Sequence, residues 1–245
     1  MRISRNFRFW ILVLLLGSLP ALTLAYQSEQ DFRAAKKLLS DRVYYDHRVT
    51  FYCGCNYDQS RQVKPYSCGY QARRPDERSR RIEWEHLVPA ATFGRAFSCW
   101  QNARQICGRG GGRKCCEKTD ATFRRLEADM HNLGPAIGEL NADRENFPFG
   151  EIPGEARRYG RCDFEVSGGV AEPMPAVRGD VARATLYMDS RLSALRGRGF
   201  LTGREHALFL AWDRTDSPDQ WECERERRIT RLQGNSNPFV SRGCR

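Results

Sequence analysis

Apolar positions along the chain repeat with two periods, one typical of helices and one typical of strands. The helical period predicts helices over residues 27–40, 119–130, 136–146, 181–195, 205–212 and 217–234. Thr119 or Asp120 is expected to cap the second helix, and the last one is expected to begin with Ser217 as its cap and to end at Gly234. Runs rich in β-branched and aromatic residues predict strands over residues 43–53, over residues 82–88 and near Phe164. The pattern therefore predicts one mixed α+β domain that is mostly helical.

Several stretches break this periodicity. Residues 54–80 and 147–180 are polar or irregular, apart from the short strand near Phe164. Within residues 101–118, the run GRGGGRK at residues 108–114 predicts a loop, because glycine loses more conformational entropy in a helix than other residues do. Gly134 followed by Pro135 predicts a break between two helices.

The N-terminus carries an export signal. Arg2, Arg5 and Arg8 precede an apolar run over residues 9–16, and small residues lead up to Ala25. This order predicts a signal peptide over residues 1–25 and a single domain over residues 26–245. An uncleaved membrane anchor is the alternative, although glycine, serine and proline interrupt the apolar stretch.

The excess of basic residues predicts the kind of partner that the protein meets. The chain has 40 basic and 30 acidic residues and a formal net charge of +10. Cleavage after Ala25 removes three arginines and no acidic residue, which leaves a net charge of about +7. This composition excludes an acidic solvating protein, a collagen and a coiled coil. Basic exported proteins meet polyanions, either nucleic acid or an anionic envelope surface.

The ten cysteines all follow the signal segment. An even number in an exported chain predicts disulfide bonds, but the sequence does not select among the possible pairings. A structural zinc site is the alternative. The spacing Cys53-x-Cys55 and the adjacent pair Cys115-Cys116 lack the usual Cys-x-x-Cys pairs of such sites.

Candidate chemistry concentrates around two segments, EWEH at residues 83–86 and DMHN at residues 129–132. A neutral imidazole takes a proton from water near pH 7, and carboxylate and amide oxygens suit Mg²⁺ or Ca²⁺. With arginine to hold a phosphate, this set predicts metal-assisted phosphodiester hydrolysis. The alternative is that Glu-x-Glu-His is only the solvated face of a strand.

Longer motifs resemble the bacterial endonuclease I family of periplasmic and secreted nucleases. They are residues 83–90 (EWEHLVPA), 129–144 (DMHNLGPAIGELNADR), 211–212 (AW), 221–225 (WECER) and 233–240 (QGNSNPFV). The resemblance covers most of residues 30–244. It implies a ββα-metal (His-Me finger) core, in which a strand carries the base and the following helix carries a metal ligand.

The resemblance assigns roles residue by residue. His86 matches the general base, Glu85 and Asn141 match the metal ligands, and Arg113 matches the arginine that contacts the phosphate. Asn132 is the alternative ligand, but its place beside Gly134 favours a role in tying the loop together. The implied cofactor is Mg²⁺, with Ca²⁺ or Mn²⁺ as alternatives. A regular strand points Glu85 and His86 to opposite faces, so both serve one site only if the chain bends between them, which Pro89 three residues on favours. In a regular strand Glu83 and Glu85 share a face instead, and the assignment of Glu85 as a ligand is weaker.

The family also implies a substrate and products. We expect a monomer that cleaves DNA, and RNA as well, through contacts to the phosphate backbone, giving 5′-phosphate ends without sequence preference. The second hypothesis is a secreted basic nucleic-acid- or envelope-binding protein of the same fold without hydrolytic activity.

Other residues near the motifs have less specific expectations. His131 is expected to satisfy a hydrogen bond beneath the site, and Trp84 is expected in the core. Arg144 either reaches a phosphate or forms an ion pair.

One segment departs from the family pattern. Residues 102–109 look inserted and bring Cys107, and Cys115 also looks additional. Two unmatched cysteines that occur together predict a Cys107–Cys115 bridge. Arg113 lies inside the closed loop, so the bridge is expected to restrict its position.

Overall fold

The N-terminal part of the domain begins with a capped helix. The computed structural model describes residues 31–154 and 156–244, so the predicted signal peptide lies outside the described residues. Helix α1 (Phe32–Leu38) begins where the Asp31 carboxylate accepts the Ala34 N–H at 2.8 Å, and it continues as a π-helical turn, Leu39–Val43.

The predicted strand over residues 43–53 is wrong. In this stretch only an isolated bridge forms, between Val49 and Asn56. The apolar residues that suggested a strand are buried for another reason, since Val43, Tyr44 and Tyr52 pack into the core from turns. Local β-propensity describes a residue that suits a half-buried surface, and packing fulfils that preference here without a ladder.

A two-stranded antiparallel sheet followed by a helix forms the centre of the domain. Strand β1 (Ile82–His86) pairs with strand β2 (Leu133–Ile137), with Ile82 opposite Ile137 and His86 opposite Leu133. Helix α7 (Gly138–Arg144) follows β2 directly. The predicted break between two helices is confirmed, but Gly134 and Pro135 lie in a strand that was not predicted, and the helix expected from residue 136 begins two residues later.

Five short helices connect β1 to β2. They are α2 (Ala90–Gly94), α3 (Ser98–Gln101), α4 (Ala103–Cys107), α5 (Gly112–Thr119) and α6 (Ala121–Glu127). The predicted loop over the glycine-rich run is confirmed for residues 108–111, whereas residues 112–114 form the first turn of α5. Helix α6 is capped by Asp120 as expected, but Met130 lies beyond it in a 3₁₀ turn.

Close packing against a tryptophan ring explains why residue 112, in the predicted loop, is a glycine. A Cβ atom at Gly112 would lie 2.7 Å from the Trp100 ring, and one at Gly94 would lie 2.3 Å from the same ring. The indole therefore packs directly on the backbones of α2 and α5. Glycine at residue 112 serves packing within a helix rather than a turn.

The C-terminal half follows the sequence pattern more closely. Its elements are β3 (Phe164–Ser167), β4 (Val170–Pro173), α8 (Arg178–Arg196), α9 (Gly203–Thr215), α10 (Gln220–Gln233) and α11 (Pro238–Ser241). Helix α10 ends at Gly234 in the left-handed conformation, as predicted. Its N-cap is Asp219 rather than Ser217, because the Asp219 carboxylate accepts the Glu222 N–H at 2.7 Å.

Disulfide bonds join all ten cysteines. The pairs are Cys53–Cys162, Cys55–Cys68, Cys99–Cys116, Cys107–Cys115 and Cys223–Cys244. The Cys107–Cys115 prediction is confirmed, and no thiol remains for the alternative zinc site in the described residues, which include every cysteine. Cys53–Cys162 spans 109 residues and encloses β1, β2 and α7.

Two apolar clusters make up the core. The larger one contains the buried faces of β1, β2 and α8, and the smaller one lies among α2, α3, α5 and α6. Trp84 is buried in the larger cluster, as expected. Within the described part of the chain, no helix combines the length and apolar character needed to cross a bilayer.

Candidate active site

His86 is the last residue of β1 and is 8% exposed. Its Nε2 atom lies 2.8 Å from the Glu127 main-chain carbonyl, and its ring lies 4.6 Å from the Phe32 ring of α1. A carbonyl oxygen only accepts hydrogen bonds, so Nε2 carries the proton. The lone pair is therefore on Nδ1, which has no hydrogen-bond partner among the described residues.

The surroundings of His86 keep the imidazole neutral. The pKa of His86 is lowered to about 3, mainly by burial and also by the positive charges of Arg113, Arg144 and Lys36, while the bond to the Glu127 carbonyl acts in the opposite direction. His86 is therefore neutral at pH 7, and a neutral imidazole is the form that accepts a proton.

Arg113 approaches His86 from the first turn of α5. Its Nε atom donates to the buried Glu127 carboxylate at 2.6 Å and lies 3.2 Å from Glu117. The guanidinium also lies over the Phe32 ring, 5.3 Å from the ring centre. The hydrogen bond uses Nε, and the two terminal nitrogens of Arg113 donate no hydrogen bond to any described residue.

Glu127 connects these two residues, and the sequence analysis missed it. Its carbonyl holds His86 and its carboxylate holds Arg113, although burial raises the pKa of Glu127 to about 7 against the effect of Arg113. The spacing of residues along α6 was the one indication of its role in the sequence. Glu127 stands one helical turn after Phe123, so a carboxylate falls on the apolar face of α6 and needs a partner there.

Glu85 lies on the side of β1 that faces α7. Its Oε1 atom accepts from Arg144 at 2.8 Å and from the Tyr52 hydroxyl at 3.2 Å. Burial raises the pKa of Glu85 to about 7, although Arg144 and the Tyr52 bond act in the opposite direction. Oε2 has no hydrogen-bond partner among the described residues.

Asn141 projects from α7 toward the same side of β1. Its Nδ2 atom donates to Glu83 Oε2 at 2.8 Å, which leaves Oδ1 without a protein donor in the described part of the chain. Carboxylate Oε2 of Glu85 and amide Oδ1 of Asn141 are the hard oxygen donors that Mg²⁺ and Ca²⁺ prefer. The residues present therefore fit a divalent cation.

The expected bend between Glu85 and His86 is wrong. Pairing with β2 continues without a bulge from Ile82 to His86, and the Leu87 N–H extends it by donating to Asn132 at 2.9 Å. Glu85 thus contacts α7 while His86 contacts Glu127, on the other face of the strand. Because β1 is regular, Glu83 and Glu85 share one face, and the strand alone does not bring Glu85 and His86 to the same side.

Arg144 forms the ion pair that was one of its two predicted roles. The guanidinium is 1% exposed and donates to Glu85 Oε1 and to the carbonyls of His86 and Leu87 at 2.6–2.8 Å. These bonds lock the end of β1 against α7. Arg144 is committed to the protein rather than to a phosphate.

Asn132 and His131 lie beneath the site. Asn132 is fully buried, and its amide exchanges two hydrogen bonds with the Val88 backbone, at 2.7 and 2.9 Å. His131 bonds to the Asn235 carbonyl at 2.9 Å and lies 3.1 Å from Glu226. Both residues hold neighbouring segments together.

Comparison with known proteins identifies the family. The Endonuclease I family model matches residues 26–244. The chain belongs to the Endonuclease I family. It is therefore an endonuclease, and the resemblance found in the sequence is confirmed.

Relatives within the Endonuclease I family align over most of their length. An extracellular deoxyribonuclease of Aeromonas hydrophila is 48% identical over 88% of this chain and 91% of the relative. A periplasmic deoxyribonuclease of the same species is 45% identical over 99% of both chains. Endonuclease-1 of Buchnera aphidicola is 38% identical over 85% of this chain and 80% of the relative.

Proposed function

We propose that this protein is an exported, divalent-metal-dependent endonuclease that hydrolyses phosphodiester bonds in DNA and in RNA. The deoxyribonuclease relatives support DNA as a substrate. RNA is included because the proposed contacts go to the phosphate rather than to the base edges that encode sequence. For the same reason we expect no sequence preference and weaker binding as the salt concentration rises.

The arrangement of β1, β2 and α7 supports assignment to the ββα-metal architecture. Two antiparallel strands are followed at once by a helix, with His86 at the end of the first strand and Asn141 on the helix. In this assignment the strand supplies the base and the helix supplies a metal ligand.

The observation that carries the proposal is the hydrogen bond from His86 Nε2 to the Glu127 carbonyl. It fixes the tautomer, so Nδ1 takes a proton from the attacking water. A bond forms between the water oxygen and phosphorus, and the bond from phosphorus to the 3′ oxygen breaks. The leaving 3′ oxygen takes up a proton from solvent water, and His86 later returns its proton to solvent. The products carry 3′-hydroxyl and 5′-phosphate ends.

The other site residues act on the charge of the phosphate. Arg113 is held through Nε and presents its terminal nitrogens to a non-bridging oxygen. Glu85 and Asn141 would hold the cation, preferably Mg²⁺ with Ca²⁺ or Mn²⁺ as alternatives. The bound cation would supply positive charge beside the leaving oxygen. The protein thereby stabilises charge that develops in the transition state.

Export and a monomeric state complete the proposal. The family match begins at residue 26, directly after the proposed cleavage site. The names of the relatives place them outside the cytoplasm, and five disulfides require an oxidising compartment. We therefore assign the mature chain, residues 26–245, to the periplasm or the medium, without a membrane anchor.

A plasmid-nicking assay tests the proposal. Purified mature protein should convert supercoiled plasmid to nicked and linear forms in Mg²⁺, and EDTA should abolish the conversion. End-labelling of the products should detect 5′-phosphates. Binding of plasmid without cleavage, at any Mg²⁺, Ca²⁺ or Mn²⁺ concentration, would instead support the non-hydrolytic binding protein.

A further inference from the structure

Glu83 lies two residues before Glu85 on the same face of β1, and its carboxylate is fully engaged. Arg78 binds it through two parallel bonds, Nε to Oε1 at 2.9 Å and a terminal nitrogen to Oε2 at 2.6 Å. Oε2 also accepts the Asn141 Nδ2–H at 2.8 Å. A second arginine, Arg81, lies 3.5 Å from Oε1.

This arrangement selects one orientation of the Asn141 amide. The two ends of an amide differ, since the nitrogen only donates and the oxygen only accepts. Arg78 donates to both oxygens of the Glu83 carboxylate, so each of these oxygens acts as an acceptor. The same carboxylate accepts from Asn141 as well, so it requires Nδ2 to face it and directs Oδ1 away.

The backbone at the start of α7 independently limits the movement of the Arg78–Glu83 pair. The Gly138 N–H donates to the Arg81 carbonyl at 3.0 Å. A Cβ atom at residue 138 would lie 2.7 Å from the Arg78 carbonyl oxygen and 3.0 Å from Glu83 Oε1. The helix that carries Asn141 therefore packs directly against the Arg78–Glu83 pair, which leaves little freedom for that pair to move.

We propose that Glu83, held by Arg78, is a positioning residue that fixes the Asn141 amide with its carbonyl oxygen free to bind a cation. The inference rests on the proposed role of Asn141 as a metal ligand. Partners behind metal ligands commonly set affinity, and their loss weakens binding by about 10–100-fold. Glu83 acts through Asn141 and is not itself a ligand.

The first test replaces Glu83 with glutamine and measures Mn²⁺ binding without nucleic acid, by calorimetry or by the EPR signal of free Mn²⁺. In Glu83→Gln the donors of Arg78 take the amide oxygen, which turns the new amide nitrogen toward Asn141. Asn141 then turns its own oxygen toward that nitrogen and loses it as a ligand. We expect Mn²⁺ affinity to fall about tenfold or more.

Glu77→Gln is the matched control, because Glu77 pairs with Arg81 at an exposed position in the same segment. It makes the same change of charge without touching Asn141 and should leave Mn²⁺ affinity unchanged. Thermal unfolding of both variants checks that the fold persists. An equal loss of affinity in both variants would overturn the inference.

A second background separates orientation from simple charge attraction. In Asn141→Asp the two carboxylate oxygens are equivalent, so no orientation has to be fixed. We therefore expect Glu83→Gln to cost nothing in that background, whereas loss of a negative charge alone would weaken Mn²⁺ binding in both backgrounds. The same loss in both backgrounds would overturn the inference.

Asn141→Ala distinguishes failure of this inference from failure of the proposed function. If Asn141→Ala binds Mn²⁺ as the unsubstituted protein does, then Asn141 is not a ligand, and both proposals fail. If Asn141→Ala weakens binding and Glu83→Gln does not, only the positioning role of Glu83 fails.

Discussion

The two sides of the candidate site are built differently. On the metal side, Glu85 and Asn141 stand on β1 and α7, and regular hydrogen bonds and buried charge pairs fix both elements. On the phosphate side, Arg113 stands at the start of an eight-residue helix, and its side chain is 42% exposed.

The sources of order on the two sides differ accordingly. Arg113 stands on α5, and two disulfides, Cys99–Cys116 and Cys107–Cys115, tie this helix to α3 and α4. An isolated helix of eight residues is not stable in water by itself. The disulfides thus hold in place the helix that carries Arg113, whereas the sheet and buried ion pairs hold in place the elements that carry Glu85 and Asn141.

His86 lies where the two sides meet, so its loss should have the largest effect. His86→Ala should lower the cleavage rate by at least ~10²-fold, because the general base is removed. DNA binding should persist, as a gel-shift assay would show. His206→Ala, an exposed histidine, is the control. Normal cleavage by His86→Ala in Mg²⁺ would disprove the assignment.

Arg113→Ala isolates the phosphate side. At saturating Mg²⁺ we expect kcat to fall by about 10²-fold, as when one donor to a developing oxyanion is removed. The Mg²⁺ concentration for half-activity should not change. Arg109→Ala, which removes an exposed arginine nearby, should behave like the unsubstituted protein.

Glu85→Gln and Asn141→Ala isolate the metal side. Each should raise the Mg²⁺ concentration for half-activity by about tenfold or more. Asn141→Ala removes the amide oxygen, and Glu85→Gln keeps an oxygen for Arg144 but replaces Oε2 with an NH2 group, which does not bind a cation. Glutamine is preferred to alanine at residue 85, because alanine would leave the buried Arg144 charge without a partner. A lower kcat with an unchanged Mg²⁺ requirement would contradict the assignment of the ligands.

Asn132→Ala tests the choice between the two asparagines. The substitution leaves the N–H and C=O of Val88 unpaired in the interior, at about 1–3 kcal/mol for each group. Urea unfolding should show this loss, and the Mg²⁺ requirement should stay the same. If Asn132 alone shifts that requirement, the roles of Asn132 and Asn141 are exchanged.

The smallest change in activity is expected from opening one bridge. Combining Cys107→Ser with Cys115→Ser should keep the fold and lower activity less than Arg113→Ala does. The closed loop is short, so the loss of stability should be roughly 2–3 kcal/mol. Far-UV circular dichroism checks the fold. Unchanged activity would show that the bridge does not position Arg113.

The sequence predicted the elements whose signals are local. The long period of α8, the left-handed glycine after α10 and the alternation in β1 need no distant partner. Strand β2 was missed because Gly134-Pro135 is a typical break. The Pro135 carbonyl accepts from Phe51 on the side away from β1, so the missing N–H costs the β1–β2 ladder nothing.

The residues of the candidate site can also be separated into those with a local signal in the sequence and those without one. The motifs identified His86, Glu85, Asn141 and Arg113 as candidates, because the residue types and their order along the chain carry that information. The contacts of Glu127 and Glu83 join residues 14 and 58 positions apart. Such pairs depend on how α6 and α7 pack against β1, which no local pattern encodes.

The Cys53–Cys162 bridge has a consequence for survival outside the cell. Every proposed catalytic residue lies inside the covalent ring that it closes, and two smaller rings, Cys99–Cys116 and Cys107–Cys115, lie within it. A protease that cuts one peptide bond anywhere between residues 53 and 162 opens the ring but releases no fragment. The base, the ligands and the arginine stay covalently joined, so a nicked molecule can keep its site assembled.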